Sequence, residues 1–270
     1  MVRNFLATLG AALLVVAVYV PATAQTHFVD PNSQTIGQLP SQAAPAISPE
    51  DLAKLYMIRK QFREAAEVFE RLTREHPKNA VYWNELGITY QNLMELRPAL
   101  KCYEKATKID SHYPDAQNNA GTVWYEMKRY PKAIRAYKRA ISLQGEFASF
   151  YLNLGYAYFG HKEYEDSLAA FHQALVLDPD AFGGGRSRAG TIIQDRSLES
   201  DRGYFYYLLA KSFAESGNVE RSLAYLRKAR DEGYTDWNKV KTDPTFALVL
   251  KDPTAQEVLA PPKPTETAQP

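Results

Sequence analysis

The sequence predicts an all-α fold, a solenoid of about five helix pairs closed by a C-terminal helical cap. Three observations lead there. Ala53, Gly87, Gly121 and Gly155 form one column at a 34-residue stride, and Tyr56, Tyr90, Trp124 and Tyr158 form another three places on. The same register carries into a second segment of each unit, with small Ala65, Ala99, Ala133 and Ser167, then aromatic Phe69, Tyr103, Tyr137 and Phe171. A repeat of this length is one helix–turn–helix unit, which cannot bury its apolar face alone but can do so in a stack. The sizes also suit that stack: glycine and alanine let helices approach closely, and the aromatic columns fill the space between pairs. With 270 residues, 45% of them apolar, the chain can bury a sizeable core.

Trp83, Leu86, Gly87, Tyr90, Ala99, Tyr103 and Ala106 follow a known signature. On these residues the chain resembles the tetratricopeptide repeat (TPR) family. The resemblance covers residues 46–181 as four units. It resumes at 203–236 as a fifth, carried by Tyr206, Leu209, Ala210, Phe213, Ser222, Leu226 and Ala229. It departs at Pro49 and Gln117, where the family has an aromatic, and the closing proline stands only at Pro77 and Pro179. The resemblance implies a right-handed superhelix whose first helices line a concave side. It also implies a binding surface rather than an enzyme.

Element by element, residues 1–24 read as a secretory signal peptide. Arg3 precedes the apolar run Phe5 to Val20, and Ala22-Thr23-Ala24 makes a small-residue cleavage site before Gln25. Residues 25–45, rich in Gln, Ser, Pro and Ala, read as a flexible leader. Ser48-Pro49-Glu50-Asp51 opens the first helix with a cap, a first-turn proline and two acids at the positive helix end. Pro98 and Pro131 fall where second helices begin, and Gly160, Gly217 and Gly233 where helices end. Residues 182–202 form a Gly/Arg-rich insertion; Gly185 and Gly190 lack the lysine and preceding strand of a phosphate loop, so a flexible surface segment is expected. Asp243-Pro244 and Asp252-Pro253 each start a short helix, so 237–260 reads as the cap, with Phe246, Leu248, Val249 and Leu250 as its apolar cover. The tail, 261–270, is disordered by composition.

The functional expectations follow from what the chain carries. A net charge of +1 supplies no field for nucleic acid. Cys102, the one cysteine, permits no internal disulfide and does not follow the signal as a lipoprotein cysteine would. The five histidines are scattered, no nucleophile elbow, metal helix or dinucleotide loop appears, and no enzyme, cofactor or metal is expected.

The expected partner is a protein or peptide lying in the concave groove, in the periplasm or outside the cell, with no stable membrane insertion after signal cleavage. The alternatives are a membrane-tethered assembly factor with an uncleaved N-terminus, or an accessory subunit of an enzyme complex. Helical spacing places Asn84, Asn118, Tyr125, Tyr156, Phe159 and Tyr207 on the exposed concave face, and Asn119 and Asn153 neighbour it, where the resemblance implies a peptide-holding asparagine. Asparagine can pair with a peptide backbone through donor and acceptor, and aromatics offer apolar faces with polar tips. Glu50, Lys54, Glu85 and Asp115 stand where some family members hold a terminal carboxylate with lysine, arginine and asparagine, and the three acids among them argue against that ligand.

Overall fold

The computed structural model describes residues 47–182 and 201–260; the signal, leader, tail and most of the insertion lie outside them. The described residues are helical, with no strand among them. Five helix pairs run in order: α1 (Pro49–Ile58) with α2 (Phe62–Glu75), α3 (Ala80–Asn92) with α4 (Leu96–Ile109), and α5 (Pro114–Glu126) with α6 (Tyr130–Leu143). Next come α7 (Ala148–Gly160) with α8 (Tyr164–Leu177), and α9 (Arg202–Glu215) with α10 (Val219–Asp231). The cap comprises α11 (Trp237–Thr242), two 3₁₀ turns at Pro244–Phe246 and Val249–Lys251, and α12 (Ala255–Leu259).

Each column has a packing role. An added Cβ at Gly87 or Gly121 would lie 2.5 or 2.7 Å from the ring of Tyr103 or Tyr137, so glycine there lets the second helix lay an aromatic flat on the first. Gly155 meets Phe171 in the same way. In the fifth pair both sizes change together, with Ala210 and Leu226 in the matching columns and both buried. The small column accepts serine because its hydroxyl finds a carbonyl: Ser167 Oγ donates to Gly155 O and Ser222 Oγ to Ala210 O, both at 2.9 Å.

The turns inside each pair share one device that the sequence hides. Lys60, Met94, Lys128, Lys162 and Gly217 hold positive φ (58, 62, 58, 66 and 76°), each two residues past the end of a first helix. Around each, the next N–H reaches back to the aromatic column: Gln61 N to Tyr56 O, Glu95 N to Tyr90 O, Arg129 N to Trp124 O, Glu163 N to Tyr158 O and Asn218 N to Phe213 O, at 2.8–2.9 Å. This is a Schellman stop, normally closed by glycine. Gly160 is not the left-handed residue of its turn; it lies in α7 under the ring of Tyr130.

The helix starts are as the sequence implies at Ser48, whose Oγ accepts from Asp51 N at 3.0 Å. Asp243 Oδ1 likewise accepts from Thr245 N at 2.9 Å, whereas Asp252, whose Oδ1 accepts from Thr254 N at 2.8 Å, ends the second 3₁₀ turn, and α12 begins only at Ala255. Phe246, Val249, Ala255 and Val258 are buried and seal the last pair, whereas Leu248 points outward, 58% exposed. Phe182, at the edge of the insertion, is part of the packing: its ring meets Phe171 at 5.4 Å and Phe213 at 5.9 Å.

Candidate interaction face

First helices touch the next first helix along the stack, α3 against α5 and α5 against α7. Their shared side is the inner face of the solenoid. On it the asparagines form a ladder. Asn119 Nδ2 donates to Asn84 Oδ1 at 3.0 Å, Asn118 Nδ2 to Asn119 Oδ1 at 3.3 Å, and Asn153 Nδ2 to Asn118 Oδ1 at 2.9 Å. Gln91 extends the theme, donating to Glu126 at 2.7 Å while accepting from the buried Tyr103 hydroxyl at 2.9 Å. The cross-helix pairs 84/119, 118/153 and 91/126 are all 35 residues apart, one repeat plus one residue.

The sequence expects these asparagines to be exposed. In the structure Asn84, Asn118, Asn119 and Asn153 are at most 3% exposed. A buried amide is stable only when bonded, and an amide on the neighbouring repeat supplies both the donor and the acceptor it needs. The four residues thus join α3, α5 and α7 along the floor of the face.

The aromatic members are buried too, at 4–6% exposure. Tyr125 packs edge-on to Tyr130 at 5.4 Å. Tyr156 stacks on Phe205 at 5.4 Å and Phe159 meets Phe205 and Tyr164 edge-on. Tyr207 stacks on Tyr234 at 4.7 Å, nearly parallel. All four pack through their rings, and burial pushes the Tyr207 hydroxyl up to about 12. The structure therefore unites the asparagines in one network and packs Tyr125 within the third pair, Tyr156 and Phe159 against the fifth pair, and Tyr207 against the link after α10.

The N-terminal end of the face is acidic. Glu50 pairs with Lys54 at 2.5 Å and accepts from Tyr82 Oη at 3.1 Å, which hold its carboxyl below the usual range. Burial instead raises Glu85 and Asp115. Val81 remains 47% exposed beside them.

At the other end, a hollow of about 420 Å³ opens between α8, α9 and α11, with Tyr164, Tyr204 and Tyr207 in its wall. Lys211 Nζ and Asp243 bridge it at 2.6 Å. Burial opposes the Asp243 charge, yet Lys211 and Thr245 keep its carboxyl below its ordinary value. A single sequence misses this hollow because the insertion breaks the stride between Tyr164 and Tyr204.

Chemistry is sparse elsewhere. Burial pushes the Cys102 thiol up to about 12, so it behaves as a small apolar residue. His161 pairs with Glu163 at 2.9 Å at the end of α7, and His172 lies 3.5 Å from Glu215. Among the described residues no group of three or more His, Cys, Asp or Glu is placed to hold a metal, and no helix is long and apolar enough to cross a membrane.

Comparison with known proteins agrees with this architecture. Tetratricopeptide repeat families match residues 50–90, 80–113, 121–162 and 148–181. No curated protein matches the sequence. Among solved structures, MamA from Desulfovibrio magneticus is similar at 18% identity and a TM-score of 0.49, covering 70% of this chain and 95% of that one. TTC0263 of Thermus thermophilus, a thermophilic TPR protein, gives 19%, 0.47, 75% and 97%. YrrB, described as a TPR protein with an unusual peptide-binding site, gives 18%, 0.46, 72% and 89%. Stacked helix pairs, a glycine-under-aromatic joint in the second, third and fourth of them and matched repeats across 50–181 make this a tetratricopeptide repeat protein.

Proposed function

We propose that this protein is an exported scaffold that holds a peptide or a partner's helix along its inner face, in the assembly of an envelope or periplasmic complex. Tetratricopeptide repeat stacks generally bind proteins or peptides and are generally not catalysts. The observation that carries the reading is the asparagine ladder. It fixes α3, α5 and α7 side by side, so their inner sides form one continuous polar strip floored by Asn84, Asn118, Asn119 and Asn153. Rigid elements present a binding surface at low ordering cost. Val81, Ile88 and Asp115 border this strip with more accessible surface, while Tyr125, Tyr156, Phe159 and Tyr207 are buried.

Export rests on the apolar run and the Ala22-Thr23-Ala24 site. N-terminal sequencing of native protein should begin at Gln25, and intact Met1 in the soluble cytoplasm would refute it. For the face, crosslinked co-purification from the native envelope should recover a partner. Val81→Glu combined with Ile88→Glu should weaken that recovery at least fivefold with circular dichroism unchanged. Undiminished recovery would place the contact elsewhere.

A further inference from the structure

A net charge of +1 hides an uneven distribution. Consecutive helices pack on one another along the stack and are joined by short turns, so they alternate in direction. The turns inside the pairs therefore share one edge, and the links between pairs share the opposite one. On the first edge the stretches 59–64, 93–98 and 127–132 carry Arg59, Lys60, Arg63, Arg97, Arg129 and Lys132, all exposed. These residues have no ion pair among the described residues. Glu64 and Glu95 are the only acids in the three stretches. The links on the opposite edge, 76–79, 110–113 and 144–147, carry Lys78 against Asp110 and Glu146. Arg71 and Arg74, towards that end of α2, are both paired with glutamates.

A second observation is apolar. Ile58 and Met94 are 79% and 75% exposed, more than any other large hydrophobic side chain among the described residues. Both stand on the basic edge, Ile58 at the end of α1 and Met94 in the turn of the next pair. Neither packs against a buried apolar cluster of the fold. Met94 also holds left-handed backbone, at φ 62°. Glycine sits there without strain, as Gly217 does in the fifth pair. In the first four pairs Lys60, Met94, Lys128 and Lys162 fill the position instead, so a long exposed side chain stands at each turn. A strained turn and an apolar side chain left in water both cost stability, and the fold itself offers Met94 no contact in return.

We propose that this edge docks on an anionic phospholipid surface, with Ile58 and Met94 set between the headgroups and the guanidinium and ammonium groups on the phosphates. Cations alone would suit any polyanion. The two apolar side chains decide for lipid, because a bilayer offers an acyl boundary beside its surface charge and a nucleic-acid backbone does not. Attachment of this kind is reversible, unlike that of a membrane-spanning helix. The inference goes beyond the scaffold reading: docking by the edge of the turns leaves the inner face, with its asparagine ladder, open to a partner.

The test is sedimentation of the chain, parent and variants alike as purified from the native cell, with vesicles of mixed phosphatidylglycerol and phosphatidylcholine or of phosphatidylcholine alone. Binding should be about tenfold tighter on the anionic vesicles and should weaken about fivefold on raising salt from about 0.1 to about 0.5 M. Arg59→Glu with Arg129→Glu should weaken it about tenfold, whereas Lys78→Glu with Lys108→Glu, the same change of charge on the opposite edge, should alter it less than about twofold. Ile58→Ser with Met94→Gly should weaken it about fourfold. Circular dichroism melts confirm that each variant is folded. Equal binding to neutral vesicles, equal loss from the two charge reversals, or indifference to the Ile58 and Met94 changes overturns the proposal. So does a DNA duplex held more tightly than the anionic vesicles, or no binding to either kind of vesicle. None of these outcomes touches the scaffold reading, which the Val81 and Ile88 variants decide by recovery of a partner.

Discussion

Replacing Gly121 by alanine adds one methyl group at the tightest joint of the third pair. Its Cβ would sit 2.7, 2.8 and 3.1 Å from three atoms of the Tyr137 ring, against the 3.4–4 Å of ordinary contact. The ring must therefore retreat by roughly 0.7 Å in an interior packed to crystal density. It has little room, because Tyr137 is fully buried and its hydroxyl donates to Thr122 Oγ1 at 3.2 Å. Overpacking of this kind costs about 1–3 kcal/mol, and the better helix propensity of alanine returns about 1 kcal/mol. The net should be a loss of about 1 kcal/mol, within a range of about 0–2, seen as a Tm lower by about 2–4 °C. Tyr137→Leu alone should lose about 2–4 kcal/mol to a cavity and a missing hydroxyl bond. The double variant rebuilds the fifth pair's own solution, Ala210 with Leu226. It should lose at least about 1 kcal/mol less than the sum of the singles. Thermal melts by circular dichroism, checked by urea titration, measure all three. A Gly121→Ala protein more stable than the parent, or strict additivity in the double, would refute the close-contact argument. In the first pair the same two columns are filled by Ala53 and Phe69, both fully buried.

Three further outcomes follow from the same geometry. Asn118→Ala leaves the Asn153 amide without its ladder acceptor in a fully buried place, so stability should fall by about 1–3 kcal/mol, and a variant with an unchanged Tm would show that the ladder carries no weight. Lys162→Gly relieves a side chain from left-handed backbone at φ 66°; after the entropy cost of glycine it should gain about 0.5–1 kcal/mol, and a lower Tm would contradict the strain. Glu85 is raised above its ordinary value by burial, so its ionised form disfavours folding above that raised pKa and the penalty fades as pH falls through it. Glu85→Gln should accordingly stabilise at pH 7 and give no gain near pH 4, as read from paired melts across pH; an equal gain at both would remove the ionisation argument.

Much of the fold is written in the sequence because its packing period is fixed. Gly87 under Tyr103 and Gly121 under Tyr137 are the same contact one repeat apart, so the columns declare the joint before any coordinate does. The left-handed turns are illegible, since glycine marks only Gly217 while lysine or methionine holds the other four. Exposure of the inner face is also misread. Helical spacing tells which side Asn118 and Tyr156 share, but the curvature of the stack decides how closely neighbouring first helices approach. The ladder did leave a trace: its partners stand 35 residues apart, and a search for polar pairs at that stride would have found them. The hollow at the C-terminal end left none, as Tyr164, Tyr204 and Asp243 come from three elements on either side of the insertion.

The inner face changes character along the stack. One column reads Asn84, Asn118, Leu152 and Tyr207, and the next reads Glu85, Asn119, Asn153 and Leu208. Amides and acids join the early first helices, while rings join the later ones. The packing beneath follows suit. The early pairs hold separate small clusters around Phe69 and around Tyr103. From Tyr125 to Val258 one continuous cluster takes in the later pairs and the cap. A buried amide network tolerates one geometry because each donor needs its acceptor, whereas stacked aromatics tolerate small slides at modest cost. The early repeats are thus held in register by direction-specific bonds and the later ones by sheer buried area.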